Sequence, residues 1–467
     1  MKAKFPEYKG LDLPKVADEI LNYWQENNIF EKSVSTRESA TPYVFFEGPP
    51  SANGLPGVHH VLARAIKDIF PRYKTMKGYQ VKRKAGWDTH GLPIELGVEK
   101  ELGITKEDIG KKITVEEYNA ACRKAVMRYT DIWNDLTQKM GYWVDMDDPY
   151  ITYEPKYMES VWWLLKQIYN KELIYKGYTI QPYSPKAGTG LSSHELNQPG
   201  TYQDVTDTTI VAQFKAIENS LPEFLKKYDH LNFIAWTTTP WTLPSNTALT
   251  VGPKIDYVVV ATYNQYTFEP IHVILAKNLV GKQFDKKYIN TDNLDVLKNY
   301  SKDDKKIPFL IVDECKGTDL VGIKYEQILD YNCKFENKQN AFRVISGDFV
   351  TTEDGTGIVH TAPTFGADDA LVSKQASPEI PPLLVKDEND NLVPLVDLQG
   401  KFRPEVYDEV YGFANEHVKA EYLNNDELEA ELKNQQDRMG AVIKNQQNYL
   451  SVDERLGLKL KNENKAF

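Results

Sequence analysis

Hydrophobic positions recur with two different periods along this chain. Val16, Ile20, Tyr23, Trp24 and Ile29 draw an apolar stripe, so residues 1–42 read as a helical extension that packs on the domain after it. Tyr43–Phe46 suits a short buried strand and ends at the Gly48-Pro49-Pro50 turn. From about Val61 the steps lengthen: Leu62, Ala65, Ile66, Ile69 and Tyr73 predict a helix that Pro71 kinks or ends. Tyr79–Lys82 reads as a second strand, running into a loop at Gly86-Trp87-Asp88. Helices follow over Tyr118–Met140 and Tyr157–Tyr169. From about Thr201 the period drops to two, in short Val, Ile, Thr and Tyr runs such as Thr208–Phe214 and Tyr257–Tyr263, separated by Asn, Asp and Gly turns. That texture predicts a β-rich domain. Residues 277–306, crowded with Lys, Asn and Asp, read as an exposed loop insertion, and helices over Asp408–Leu423 and Asp426–Gln436 trail the domain.

The pattern divides the chain into residues 1–42, 43–198, 199–446 and a last segment 447–467. Its 467 residues suffice for two or three domains with cores of their own. Hydrophobic content of 41% and charged content of 26% are ordinary for a globular protein. Cys122, Cys315 and Cys333 are odd in number and far apart, which suggests neither a disulfide framework nor a metal knuckle. The first residues lack a signal peptide and no apolar run is long enough to span a bilayer, so a cytoplasmic protein without membrane contact is expected; a monomer is expected as well. A net charge of −11 argues against indiscriminate nucleic-acid binding without excluding a local basic surface. Arg64, Lys67, Arg72, Lys74, Lys77, Lys82, Arg83 and Lys84 stand against the single acid Asp68, and read as a solvated helix face before an RNA contact.

Candidate chemistry sits where the predicted strands end. In an open parallel sheet, ligands bind outside the strand ends, where helix N-termini face phosphate. Gly48, Gly54 and Gly57 would let backbone approach such a ligand, with His59 and His60 at the mouth to donate to phosphate oxygens. Asp88 would stand on the same crest, a carboxylate for a cation such as an amino acid's ammonium. Each feature alone has an ordinary explanation as a tight turn, a surface histidine or a helix cap; together, within about fifty residues, they point to a nucleotide-using amino-acid site.

Those residues resemble the class I aminoacyl-tRNA synthetases, and among them the isoleucyl-tRNA synthetases, whose discriminating string appears as Trp87 to Glu95. The resemblance runs from Gly48 into the 360s. It implies an α/β fold: a Rossmann-like catalytic domain, partial here, with an inserted β-barrel-like editing domain. It implies ATP with Mg2+, isoleucine and tRNA(Ile) as partners, with formation of isoleucyl-adenylate and pyrophosphate before transfer to tRNA. Gly48, Pro49 and Trp87 would line the amino-acid pocket, Asp88 would bind its ammonium, and Asn53, Gly57 and His60 would meet ATP. The family's His-x-Gly-His signature stands here as Gly57-Val58-His59-His60, so His60 matches its second histidine and His59 becomes the candidate to replace the first. At the family's metal-binding Cys-x-x-Cys stand Ser184-Pro185-Lys186-Ala187, so no zinc is expected.

Two further strings, Trp236 to Asn246 and Gly355 to Asp369, resemble the editing site of the isoleucine, valine and leucine enzymes. Singly, Thr237–Thr239 would be strand residues, and Asp368 and Asp369 a helix cap. By resemblance Asp369 would hold the ammonium of a misattached amino acid, Thr238 and Thr239 would contact the ester and help position water, His360 would help shape a pocket that admits valine and excludes isoleucine, and Thr237 and Trp241 would belong to the same site. One methylene is worth only about 1–3 kcal/mol in a hydrophobic pocket, and isoleucine enzymes facing valine are the standard example of that limit. The family's Lys-Met-Ser-Lys-Ser string and anticodon-binding helices are absent, so the chain reads as an N-terminal piece unable to complete aminoacylation alone. A free-standing deacylase and a non-catalytic nucleotide- or RNA-binding module are the competing functions.

Overall fold

The computed structural model describes residues 10–48, 50–177, 179–440, 442 and 448–467. They form two compact units, Met1–Gly177 and Tyr178–Phe467. In the first, strands β1 (Pro42–Phe46), β2 (Gln80–Trp87) and β3 (Asp145–Ile151) lie side by side in that order, all parallel. Phe46 pairs with Lys84 and Trp87 with Ile151, so β2 runs on past the end of β1 before the Asp88 loop begins. Contrary to the buried strand expected, β1 leaves Val44 and Phe46 57% and 61% exposed, because it is an edge strand with one uncovered face.

The helix between β1 and β2 spans Val58–Met76 and passes through Pro71 instead of ending there. Thr75 Oγ1 donates to the Pro71 carbonyl (2.8 Å) beside the position where proline offers no N–H. The side it buries is not the apolar one. Arg64, Asp68, Pro71 and Thr75 face inward, while Leu62, Ile66, Ile69 and Tyr73 are all more than half exposed. The basic cluster is correspondingly not a single solvated face. Arg64 lies over the rings of Trp133 and Tyr142, Arg83 donates to Thr75 Oγ1 (2.6 Å), and both arginines are buried. The helix expected over Tyr118–Met140 is two, Val115–Val126 and Thr130–Lys139, because the Tyr129 N–H bonds the Ala52 carbonyl (3.1 Å) at the break. The N-terminal stripe forms Leu13–Glu26 and Ile29–Ser35, but only partly packs: Trp24 meets Trp143 edge-on (5.2 Å), whereas Leu13, Ile20 and Tyr23 stay exposed. The predicted 157–169 helix is present as Pro155–Asn170.

The second unit holds β4 (Ile210–Lys215), β5 (Leu231–Thr237), β6 (Ala248–Val251), β7 (Asp256–Tyr263), β8 (Pro270–Ala276), β9 (Tyr288–Asn290), β10 (Ile307–Lys316), β11 (Arg343–Ser346) and β12 (Ile358–Thr361). One sheet has the order β9-β10-β7-β8-β5-β4; a smaller one has β11-β6-β12. Both are open, so the barrel-like closure expected from the resemblance is not seen among the described residues. The large sheet is apolar on both faces. Phe214, Phe233 and Tyr257 join the main core with Leu249 and Tyr325, while Ile234, Val258 and Val273 point into a second core with Phe284 and Phe467.

Residues 277–306 are not a solvated insertion. They contribute β9 and the helices Val280–Gln283 and Leu294–Lys298, and bury Val280, Phe284, Tyr288 and Leu297 against the sheet edge. Asp408–Leu423 is not a helix apart from a short turn at Ala420–Tyr422: Gly412, Phe413 and Asn415 hold φ values of +85°, +84° and +63°, which a right-handed helix forbids. Helices Asn425–Met439 and Val452–Asn462 follow, capped by the side chains of Asn424 and Ser451. Residues after the second run beside β4, where Gln213 N–H meets the Lys465 carbonyl (2.8 Å) and Phe467 N–H the Val211 carbonyl (2.9 Å).

Candidate active sites

In the first unit the two strand-end loops are joined. The Asp88 N–H donates to the Pro50 carbonyl (3.0 Å), and Trp87 packs in one buried cluster with Ala52 and Trp133. Trp133 holds the Gly48–Gly57 loop from below, donating its Nε1–H to the Gly54 carbonyl (2.9 Å) and presenting its ring edge-on to His60 (4.8 Å). Gly57 is the N-cap of the Val58–Met76 helix, and its N–H donates to His60 Nδ1 (2.9 Å). That bond leaves the proton of neutral His60 on Nε2. Burial, then the charges of His59 and Arg64, hold its pKa below the ordinary histidine value. His59 is exposed, its ring 3.8 Å from that of His60. Asp88 is also exposed and accepts a long bond from His90 N–H (3.4 Å). Asn53 accepts from Ser51 Oγ (3.0 Å), and the Gly48 carbonyl from Lys67 Nζ (3.3 Å). Pro49 lies outside the described residues.

Around this crest stand residues that sequence reasoning did not single out. Glu47 is buried and takes bonds from Lys67 Nζ and Tyr142 OH, anchoring the end of β1. Thr152 Oγ1 receives the Thr89 N–H (2.9 Å) and bonds His90 Nδ1 (2.7 Å), fixing the loop after β2.

In the second unit Thr237, Thr238, Thr239, Trp241, His360 and Asp369 line one cavity of about 510 Å³. The three threonines come from the end of β5 and the loop after it, Trp241 from the helical turn Pro240–Ser245, His360 from β12 and Asp369 from the first turn of the Ala367–Gln375 helix. Gly357, with φ at +74° and a Cβ that would lie 2.3 Å from Ala276, permits the close approach of the strand carrying His360. Asp369 does not cap its helix from outside; its Oδ2 accepts the Ala362 N–H (2.9 Å). Burial pushes its carboxyl above the usual range, with Asp368 adding to the rise.

His360 has no free nitrogen. Asn246 Nδ2 donates to its Nδ1 (2.8 Å) and to the Ala248 carbonyl (2.9 Å), so the ring proton is on Nε2 and goes to Thr242 Oγ1 (2.9 Å), which in turn donates to the Thr239 carbonyl (2.8 Å). Tyr325 OH fixes the Asn246 amide by donating to its Oδ1 (2.8 Å). Burial lowers the pKa of His360 to about 4. The imidazole is thus a neutral brace under the threonine loop, not a base. Thr237 is buried, and its Oγ1 accepts the Thr239 N–H (3.1 Å); Thr238 is exposed to the cavity mouth.

A family model described as tRNA synthetases class I (I, L, M and V) matches residues 19–450. The chain belongs to that family. Its similarity to individual members is high: 59% identity over 459 residues to an isoleucine–tRNA ligase of Cytophaga hutchinsonii, covering 98% of this chain and 39% of that protein. Those of Bacteroides fragilis and Porphyromonas gingivalis are 63% and 57% identical, each over 86% of this chain and 34% and 35% of the relative. The chain thus spans between a third and two fifths of the length of these relatives. A P. knowlesi cytosolic leucyl-tRNA synthetase editing domain aligns with 38% of the chain and 66% of its own, at 14% identity and a TM-score of 0.26, too low to equate the folds.

Among the described residues no group of three or more His, Cys, Asp or Glu is placed to hold a metal ion, and no helix is long and apolar enough to cross a membrane. Ser184 and Ala187 meet in a small turn, the Ala187 N–H on Ser184 Oγ (3.2 Å). Gln181 and Tyr183, just before that turn, join the wall of the threonine cavity, although neither belongs to a string that marked the site.

Proposed function

We propose that this chain is the part of an isoleucine–tRNA ligase that carries half of the amino-acid-activating site and a hydrolytic editing site for valine misattached to tRNA(Ile). One observation carries the reading: residues from two strings over a hundred positions apart, Thr237–Trp241 and His360–Asp369, share one cavity. Isoleucine rather than valine or leucine follows from the relatives' names and from Trp87 to Glu95.

In the first site Asp88 takes the ammonium of isoleucine, with Gly48, Pro49 and Trp87 around its side chain. Asn53, the Gly57 backbone and the Nε2–H of His60 face ATP, His59 standing at the rim. Magnesium enters with ATP as its counter-ion. Isoleucine's carboxylate attacks the α-phosphorus and pyrophosphate leaves; a neutral His60 donor and the helix N-terminus stabilise the charge that builds on the phosphates.

In the second site the ester's ammonium meets Asp369. An opposite charge there favours the carboxylate, offsetting the burial that raises its pKa. Water, held by Thr238 and Thr239, adds to the ester carbonyl carbon; the bond to the ribose oxygen breaks and that oxygen takes the proton. Trp241 and the braced His360 limit the pocket so that valine enters and isoleucine is excluded. Positioning is the source of the rate, since none of these residues forms a covalent intermediate.

The test offers the polypeptide Val-tRNA(Ile) and Ile-tRNA(Ile) separately. Valine should be lost quickly and isoleucine spared, and Asp369→Ala should slow valine release by about a hundredfold, the scale of a lost charge-assisted contact. Equal rates for both esters, or an undiminished variant, would refute the assignment.

A further inference from the structure

Resting on that editing reading, we infer that Asp453 is a positioning residue for the hydrolytic cavity: through the backbone N–H of Trp241 it fixes the threonine loop, and through Lys419 it ties that loop to Asp207.

Asp453 lies 212 residues from Trp241, in the first turn of the Val452–Asn462 helix, and is 1% exposed. Its Oδ1 accepts the Trp241 N–H (2.8 Å) and its Oδ2 accepts from Lys419 Nζ (2.7 Å). Lys419 Nζ also bonds Asp207, on the segment leading into β4. Trp241 follows Pro240 at the start of the Pro240–Ser245 turn. An N–H in the first turn of a helix has no partner within it, so this donor needs one from elsewhere, and a carboxylate at the positive end of the turn suits it best. Ser245 closes the turn and Asn246, which holds His360, follows it.

Trp241 also reaches the opposite wall. Its ring meets Phe365 edge-on (5.0 Å), and Phe365 stands immediately before the Gly366 N-cap of the helix that carries Asp369. Displacing Trp241 would therefore shift the threonines relative to the carboxylate across the cavity. Burial pushes the Asp453 carboxyl up to about 6, with Lys419 and the Trp241 N–H opposing the rise. Lys419 and the Trp241 N–H both favour the charged form, so the carboxylate serves the link to Lys419 as well as the bond to Trp241.

Two double variants separate the hydrogen bond from the charge. Asp453→Asn with Lys419→Met removes both charges and keeps a side-chain oxygen for the Trp241 N–H; Asp453→Ala with Lys419→Met removes both charges and the acceptor. Initial rates of Val-tRNA(Ile) hydrolysis are read well below either melting temperature. The Ala pair should lose about tenfold in kcat with little change in KM, because the loop orders the attacking water more than it holds tRNA, and the Asn pair should restore most of that loss. A merely structural role would move the two melting temperatures and leave the kcat values alike. Active wild type with the two pairs hydrolysing at the same rate would overturn the positioning role alone. A wild type that fails to hydrolyse a minimal valyl-adenosine ester would overturn the editing reading and, with it, this inference.

Discussion

His360 and Asp453 are both buried titratable groups, and the fold treats them in opposite ways. His360 is held neutral with its pKa lowered to about 4, so between that value and the ordinary 6.5 the unfolded chain binds a proton that the native chain does not. Its contribution to stability is present above pH 6.5 and declines by about 3 kcal/mol as the pH falls to 4. Asp453, raised from 3.8 to about 6, has the reverse sign: its contribution is full below 3.8 and is lost as the pH rises through 6. Between pH 4 and 6 the two slopes oppose each other, and Asp369 adds to the second. The stability difference between wild type and His360→Gln, from urea denaturation at each pH, should therefore shrink steadily from pH 6.5 to 4. A difference independent of pH would mean that His360 is not held neutral. Taken singly, the threonines, His360 and Asp369 read in the sequence as strand residues and a helix cap, and they were singled out only because their two strings together resemble an editing site. Asn246, Tyr325 and Asp453 were not, since each acquires its role only from partners 79 to 212 residues away.

Elements were legible as types more than as orientations. The three- and four-residue spacing from Leu62 to Tyr73 does make a helix, but the face it buries is set by Trp133, Tyr142 and Glu47, which arrive from elsewhere and attract Arg64 and Lys67. Period-two runs located β7 to within a residue, whereas residues 277–306 hide Phe284 and Tyr288 among lysines and aspartates whose density reads as a solvated loop. The positive φ values at Gly412, Phe413 and Asn415 replaced a helix that side-chain spacing alone suggested. Trp133 is the residue on which the first site's elements converge. Trp133→Ala should destabilise the first unit by about 3–5 kcal/mol in chemical denaturation, as full truncation of a buried aromatic does. Trp162→Ala, on the helix Pro155–Asn170 and 66% exposed, should cost under about 0.5 kcal/mol. Similar costs for the two would contradict the packing described for Trp133.

At the scale of the whole molecule the units differ in how well they cover their apolar surface. The second has two continuous cores, one on each face of its large sheet. The first has small clusters and leaves Val44, Phe46, Leu62, Ile69, Phe70, Trp162 and Trp163 exposed, more than scattered surface hydrophobics account for. A polypeptide of residues 1–177 should bind the dye ANS strongly, and Leu62→Lys with Ile69→Lys should lower its fluorescence without loss of helical circular dichroism. Strong ANS binding by residues 205–467 instead would reverse the assignment.

The pairing of Gln213 and Val211 with Lys465 and Phe467 has a consequence for how the second unit can be handled. The residues at β4 and those after the Val452–Asn462 helix lie together like the two wires of one plug. A segment whose two ends lie side by side can be set into a single surface loop without stretching, so a graft of it into an unrelated loop should keep the threonines, His360 and Asp369 together while losing the wall that Gln181 and Tyr183 add.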